Sequence, residues 1–358
     1  HMLKFPAIKI NQHGKEIYTF KAIGKNVLNF ASIDRIKRDN EGNLLGYQRI
    51  EVTKHIKEIT NYLADEKSIL ANSIVVCFDS NVKFESFDKN EDFGYICIPE
   101  DKIYGQIVDG QQRSTALFNL QNKKFEVVVN AFITDDTDEQ REQFILINNT
   151  KPLPKPLIYE LLPEVNSELP STFKDKQLPN KLISILNTQN HSPFFHAIKT
   201  HTHPEGYIKD NTIIKSLTAS LSDGILYELS EHELGVNDIE SMTNLLNAFW
   251  GAVQKIFHED WKLDPKKTRL THGAGILSLS SVMEQLLYKK ILRKDPTYLE
   301  SKSYITSDFE KYLEPLKDKI DWSKGKYDFG DGNIRSIMDI QNTSKDIDLF
   351  RNFILSQI

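Results

Sequence analysis

Cysteine is almost missing from this chain of 358 residues: Cys77 and Cys97 are the only two, and they do not form a C-x-x-C pair. That argues against a disulfide framework and a cysteine-rich zinc site, and makes a reducing cytosol the expected compartment. Long apolar runs are missing as well. Stretches such as Ile74-Val75-Val76-Cys77-Phe78 are strand-length, far short of the roughly 20 residues that cross a bilayer, so no membrane contact is expected. Nor is there an excess of positive charge. The 45 basic residues face 50 acidic ones for a net charge of −5, which leaves no global field to draw the chain onto DNA or an anionic membrane. Any nucleic-acid contact must be local or supplied by a partner. No signal peptide is recognisable; His1-Met2 reads as the remnant of a cleaved tag, with the natural start expected at Met2.

What is present describes a soluble globular protein. Hydrophobic residues make up 39% and charged residues 27%, with a mean hydropathy of −0.42, a balance that supports a real core and excludes a disordered chain. At a soft prior of about 150 residues per domain, the length suggests two or three domains. Pro152, Pro154, Pro156, Pro163, Pro170 and Pro179 crowd six of the 13 prolines together, which predicts a connector. Before it, β-branched runs at 74–78, 94–98, 105–108 and 125–133 alternate with helical patterns at 52–63, 114–121 and 138–148. After it, amphipathic patterns at 212–229, 238–258, 275–292, 298–316 and 334–358 predict long helices. The expected fold class is α+β, with an N-terminal domain over 1–160 and an α-helical domain over 161–358. Repeats, low-complexity tracts and heptad runs are lacking.

The sharpest local feature is Ile107-Val108-Asp109-Gly110-Gln111-Gln112-Arg113-Ser114-Thr115. Two strand residues lead into a glycine turn and then a helical pattern. Such a helix start is a ready anion site, because its first N–H groups have no acceptors within the helix and the macrodipole is positive there. Gly110 lets the backbone approach closely, Arg113 can grip phosphate oxygens two at a time, and Ser114 or Thr115 can donate another hydrogen bond. Asp109 would repel a bare phosphate but suits a bridging Mg²⁺ or a base that orients water. The same residues also fit a plain turn with an i,i+4 ion pair.

The run Asp109-Gly110-Gln111-Gln112-Arg113 resembles the signature of the DGQHR-domain family, relatives of the ParB/sulfiredoxin-like fold. The family includes DndB-type regulators tied to DNA phosphorothioation and DpdB-type partners of a transglycosylase that places 7-deazaguanine in DNA. Phe5-Pro6-Ala7, Gln48-Arg49, Phe144 to Asn149, Phe249-Trp250 and Thr271-His272-Gly273-Ala274-Gly275 are similar to its flanking pattern. Gln112 stands where the family name has His, a departure that leans toward the DpdB-like branch and GmrSD-type proteins. The resemblance implies a ParB/sulfiredoxin-like N-terminal domain with a nucleotide pocket. Asp109, Gln112 and Arg113 would then be catalytic. Arg49, Gly110, Gln111, Ser114, Thr115 and Asn148 would bind the nucleotide, and Asp109 would hold Mg²⁺.

Other candidates have competing structural readings. Arg49 could neutralise charge developing on a phosphoryl group, and equally could sit in solvent. The glycines of Thr271 to Gly275 read as close packing. His191, His196, His201 and His203 read as a polar loop, since no Cys or paired Glu completes a zinc set. Trp250, Trp261 and Trp322 read as core anchors. The basic runs Arg35-Ile36-Lys37-Arg38, Lys266-Lys267 with Arg269, and Lys289-Lys290 with Arg293-Lys294 read as solvated faces that could line a DNA path.

The leading expectation is an ATP-hydrolysing accessory protein of a DNA-modification system, working with Mg²⁺ and a DNA transglycosylase, with DNA reached through that partner. No Walker A motif is present, so a P-loop mechanism is out. The alternative is a DndB-like transcriptional regulator that binds DNA without hydrolysis. A GmrSD-type nuclease ranks last for want of a nuclease motif.

Overall fold

The computed structural model describes residues 1–33, 37–38, 44–45, 53–87, 90–120, 124–149, 152–165, 169, 171–231 and 236–358. It divides into two compact units, His1–Pro152 with Asn166–Ser171, and Leu153–Val165 with Thr172–Ile358. The first is mixed α+β around one curled sheet and the second is largely helical, as expected.

Unit 1 opens with an unforeseen hairpin, β1 (Met2–Gln12) and β2 (Lys15–Ile23). Its two-residue loop, His13-Gly14, has φ of 52° and 81°, the left-handed pair that matches the twist of paired strands. In β1 the odd residues Leu3, Phe5 and Ala7 turn to the core. Then follow β3 (Ala31–Ser32), β4 (Lys37–Arg38), β5 (Leu44–Leu45), α1 (Thr53–Ala64), β6 (Ile74–Phe78) and β7 (Lys83–Phe87). The unit continues with β8 (Asn90–Pro99), β9 (Gly105–Asp109), α2 (Gln111–Asn119), β10 (Glu126–Ile133) and α3 (Thr137–Asn148). Eight strands join in the order β3-β9-β6-β10-β2-β1-β8-β7. Phe5, Phe20, Phe30 and Phe78 form a chain of rings through the core, with centroids 5.1 to 6.2 Å apart, in the favourable range for aromatic pairs. Helix α2 lies on the 3-10 turn Gly24–Asn29, and a Cβ on Gly24 would come within 2.7 Å of Leu117 Cδ2. The glycine permits that approach.

The proline-rich segment does hold the division between the two units, which falls after Pro152 and again within 166–171, but it is more than a plain connector, because 155–164 are helical; Pro170 lies outside the described residues. Helix α4 (Lys155–Leu161) starts on Pro154 with Pro156 in its first turn, and Pro163 opens a 3-10 turn. At these positions proline's missing N–H has no intrahelical acceptor to lose. Pro179 lies inside α5 (Ser171–Thr188). The pairs β11 (Ile198–Lys199) with β12 (Ile208–Lys209) and β13 (Ser230–Glu231) with β14 (Val236–Asn237) are minor. Between them the pattern over 212–229 splits into α6 (Asp210–Asp223) and α7 (Ile225–Glu228), broken at Gly224. A Cβ there would sit 2.8 Å from Glu284 Oε1.

Next come α8 (Ile239–Ile256), α9 (His258–Trp261) and α10 (Gly273–Leu286), then a π-helical turn (Leu287–Ile291) and α11 (Leu292–Lys294). The pattern over 298–316 yields only a 3-10 turn and α12 (Ser307–Leu313). The one over 334–358 begins in the hairpin β15 (Lys326–Asp328) and β16 (Ile334–Ser336) and becomes helical only in α13 (Ser344–Ser356). Here Thr343 caps the helix. Trp250, Trp261 and Trp322 are buried core anchors. Among the described residues no helix is long and apolar enough to cross a membrane.

The glycines before α10 are explained by contact. A Cβ on Gly275 would fall 1.7 Å from the Arg269 carbonyl oxygen, and one on Gly273 would meet the Asn342 amide. His272 caps the helix, its Nδ1 accepting the Ala274 N–H at 3.2 Å. An acceptor role requires an unprotonated Nδ1. Burial first, and then the charges of Arg269 and Lys209, push the imidazole down to about 4. The unfolded histidine protonates near its ordinary 6.5, so the unfolded state takes up the proton first as pH falls. Stability contributed by His272 is present above about 6.5 and is lost toward pH 4. Unfolding free energies from urea titrations across that window should fall by about 2 kcal/mol in the wild type, the full displacement of about 3 kcal/mol being reduced because the ring is only half buried. His272→Asn, which keeps a capping acceptor, should lack this component; an identical slope in the variant would refute the assignment.

Candidate functional site

The signature turn is built where β9 meets β6. Val76 pairs with Ile107, but Val75 pairs with Asp109, so Val108 is an extra residue in β9 and bulges from the ladder. Bulges commonly re-aim side chains at strand ends, and a carbonyl left out of the ladder needs another donor. Two side-chain amides serve the Val108 oxygen: Gln111 Nε2 donates at 2.8 Å and Asn148 Nδ2, from the last residue of α3, at 3.3 Å. Asn148 also donates to the Phe144 carbonyl at 2.9 Å.

The chain reverses at Gly110, whose φ of +94° favours glycine, and α2 begins at once. Arg113, one turn on, folds back over the strand ends. Its Nη2 donates to Asp109 Oδ2 at 2.8 Å, while Nη1 donates to the carbonyls of Asn72 at 3.1 Å and Ser73 at 2.9 Å. Ser73 Oγ accepts from Asn130 Nδ2 at 2.9 Å, and Asn130 Oδ1 accepts from Thr19 at 2.8 Å. A polar chain therefore runs from α2 through the start of β6 to β10 and β2. Thr115 Oγ1 donates to the Gln111 carbonyl at 3.1 Å.

Two polar atoms here, Gln112 Oε1 and Ser114 Oγ, are buried without a hydrogen-bond partner among the described residues. Helix α2 has no side-chain cap. The structure thus brings Asp109, Gly110, Gln111, Gln112, Arg113, Ser114, Thr115 and Asn148 to one corner, while Arg49 lies outside the described residues. Asn72, Ser73 and Asn130 complete the corner and were not foreseen; the sequence offered no signal for the two carbonyls, since any residue type supplies one.

Chemically the corner is closed on itself. Arg113's side chain is 16% exposed and Asp109's 33%, and the guanidinium is engaged by three protein acceptors. A Mg²⁺ ion on Asp109 would have to displace that guanidinium or rely on Oδ1 alone. Magnesium usually takes one or two carboxylates together with phosphates, and among the described residues no three His, Cys, Asp or Glu side chains converge as a metal set. The basic run 266–269 also separates: Arg269 is buried, donating through Nε to the Ile340 carbonyl at 2.9 Å and through Nη2 to that of Met338 at 2.5 Å. His196 stacks on Phe195 at 4.0 Å, with the His203 ring 4.8 Å away.

Compared with known families, residues 5–358 match the model described as "DndB: DNA-sulfur modification-associated". The chain belongs to the DndB family. Nothing matches it among curated proteins or among solved structures. Membership covers nearly the whole chain, so both units of this DndB-family protein are family features, and the Gln112 departure lies within that family.

Removing the guanidinium would strand two carbonyls and a carboxylate that are partly shielded from water. Arg113→Ala should therefore cost about 2–4 kcal/mol of unfolding free energy, read by denaturant titration. Arg113→Lys should restore only part of it, since an ammonium lacks the planar fork. A wild-type midpoint in Arg113→Ala would show that the clamp is not structural.

Proposed function

We propose that this protein is a DNA-binding regulator associated with a DNA sulfur-modification system, acting without nucleotide hydrolysis. Family membership supplies the link to sulfur modification. The preference for a regulator over a hydrolase rests on one observation: Arg113, the group best suited to grip a phosphate, is held by Asp109 and by the Asn72 and Ser73 carbonyls. A phosphoryl-transfer site needs such a charge free to meet the transferring group. In this reading the Asp109 to Arg113 turn fixes the corner of a ParB/sulfiredoxin-like domain, and recognition is carried elsewhere on the surface.

One observation favours a second reading, in which the protein hydrolyses ATP with Mg²⁺ beside a DNA transglycosylase. Helix α2 begins on left-handed Gly110 with no side-chain cap, and Gln112 Oε1 and Ser114 Oγ are buried without partners among the described residues. A nucleotide there would have to draw Arg113 off Asp109.

Filter retention of duplexes from the protein's own promoter region, run alongside phosphate release from ATP, separates the two. The regulator reading expects specific, salt-dependent retention and no ATP turnover above background. Turnover that is lost in Asp109→Ala and Arg113→Ala variants of wild-type circular dichroism, without DNA retention, would overturn it in favour of the hydrolase.

A further inference from the structure

A DNA-binding protein with a net charge of −5 needs a local concentration of positive charge where the phosphate backbone docks. We infer that in unit 2 the π-helical turn Leu287–Ile291 and helix α11, with Lys311 of α12, form a docking surface for the backbone of duplex DNA. This inference rests on the regulator reading above.

The turn is anchored, not frayed. Leu287 and Ile291 are buried in the core, while Tyr288, Lys289 and Lys290 are exposed in succession, followed by exposed Arg293 and Lys294. A π turn closes i→i+5 hydrogen bonds, is rare, and is frequent at functional sites. Lys289 and Arg293, like Lys290 and Lys294, are four residues apart, a spacing that puts helical neighbours on one face.

None of these groups is neutralised. Among the described residues, neither Lys289, Lys290, Arg293, Lys294 nor Lys311 forms an ion pair. Other cations of this unit are paired: Lys255 with Glu310 at 2.8 Å and Lys302 with Asp238 at 2.7 Å. Asp295, next in sequence, is turned to the Thr297 N–H and hydroxyl at 3.1 and 2.8 Å. Lys294 and Lys311 instead approach the same Tyr312 ring, 5.8 and 5.2 Å from its centroid. Two ammonium groups gathered at one aromatic ring add to the local positive potential that a polyanion would meet.

The occupant this arrangement fits is a polyanion with closely and regularly spaced charge. Duplex DNA carries one charge per about 1.7 Å of axis, which four or five unpaired cations on a rigid helical ridge complement. Asp223, Glu228 and Glu284 act on Tyr288 through their charge, which gives the basic surface an acidic border and so a limited footprint.

The test is fluorescence anisotropy of a labelled promoter duplex with the full chain between 50 and 200 mM salt. The Lys289→Gln/Arg293→Gln variant should bind at least tenfold more weakly at the low-salt end. Its log–log salt dependence should be shallower by about two, close to 0.9 per lost phosphate contact. Lys326→Gln, an exposed lysine on β15, should leave both quantities unchanged. If the wild type binds and the double variant matches it in affinity and slope, the surface is wrong while the regulator reading stands. If the wild type binds no duplex at any salt, that reading and the surface both fall. Undiminished DNA binding with lost binding of polyglutamate would reassign the ridge to an acidic protein partner and overturn the DNA assignment.

Discussion

The Arg113 guanidinium holds together three pieces of backbone that the topology delivers from different places. Through Asp109 it fixes the last residue of β9, through the Asn72 and Ser73 carbonyls the approach to β6, and through its own main chain the first turn of α2. The bulge at Val108 makes this clamp necessary. An extra residue in β9 would leave a carbonyl unpaired and the strand end free to slip, and Gln111, Asn148 and Arg113 between them remove both problems. The family's signature is thus first a solution to a folding constraint. Asp, Gly, Gln and Arg each have a defined structural task here, and Gln112, the position that departs from the family name, has none that a hydrogen bond records.

That division of labour bears on function. A pair closed on itself in a partly shielded corner stabilises the sheet, and the same closure removes from solvent the charge that nucleotide chemistry would need. In the proposed regulator reading, recognition falls to surfaces whose charges have no ion-pair partner among the described residues. In unit 2 the contrast between paired Lys255 or Lys302 and unpaired Lys289, Lys290 and Arg293 carries that argument, because an ion pair screens a cation from a polyanion and an unpaired one remains available.

Much of the architecture could be read from residue patterns. The runs at 74–78 and 105–108 became β6 and β9 because β-branched residues buried on both faces suit interior strands. The pattern at 238–258 became α8 because its apolar stripe is continuous. Other elements were illegible for identifiable reasons. The β1–β2 hairpin depends on His13 adopting a left-handed conformation, which is uncommon for any residue with a side chain, although histidine is among the types that adopt it more often. The prolines at 154–163 looked like breakers, yet they occupy helix starts, where proline is tolerated. The helix expected over 212–229 is interrupted at Gly224, where a side chain would collide with Glu284 and the next N–H, of Ile225, donates to that same carboxylate, a contact 60 residues distant in sequence.

The sequence by itself determined an α+β first half, a helical second half, a strand–glycine–helix turn at 107–117 and an acidic whole that can meet DNA only locally. Those properties follow from periodicity, backbone preference and net charge, all of which are local or additive. Only the tertiary structure decided what the turn's side chains face. Arg113 and Asn148 find their acceptors some 40 residues away, at Asn72, Ser73 and Val108. Hydrogen-bond partners so far apart in sequence are set by how the strands are ordered in the sheet, and no local pattern encodes that.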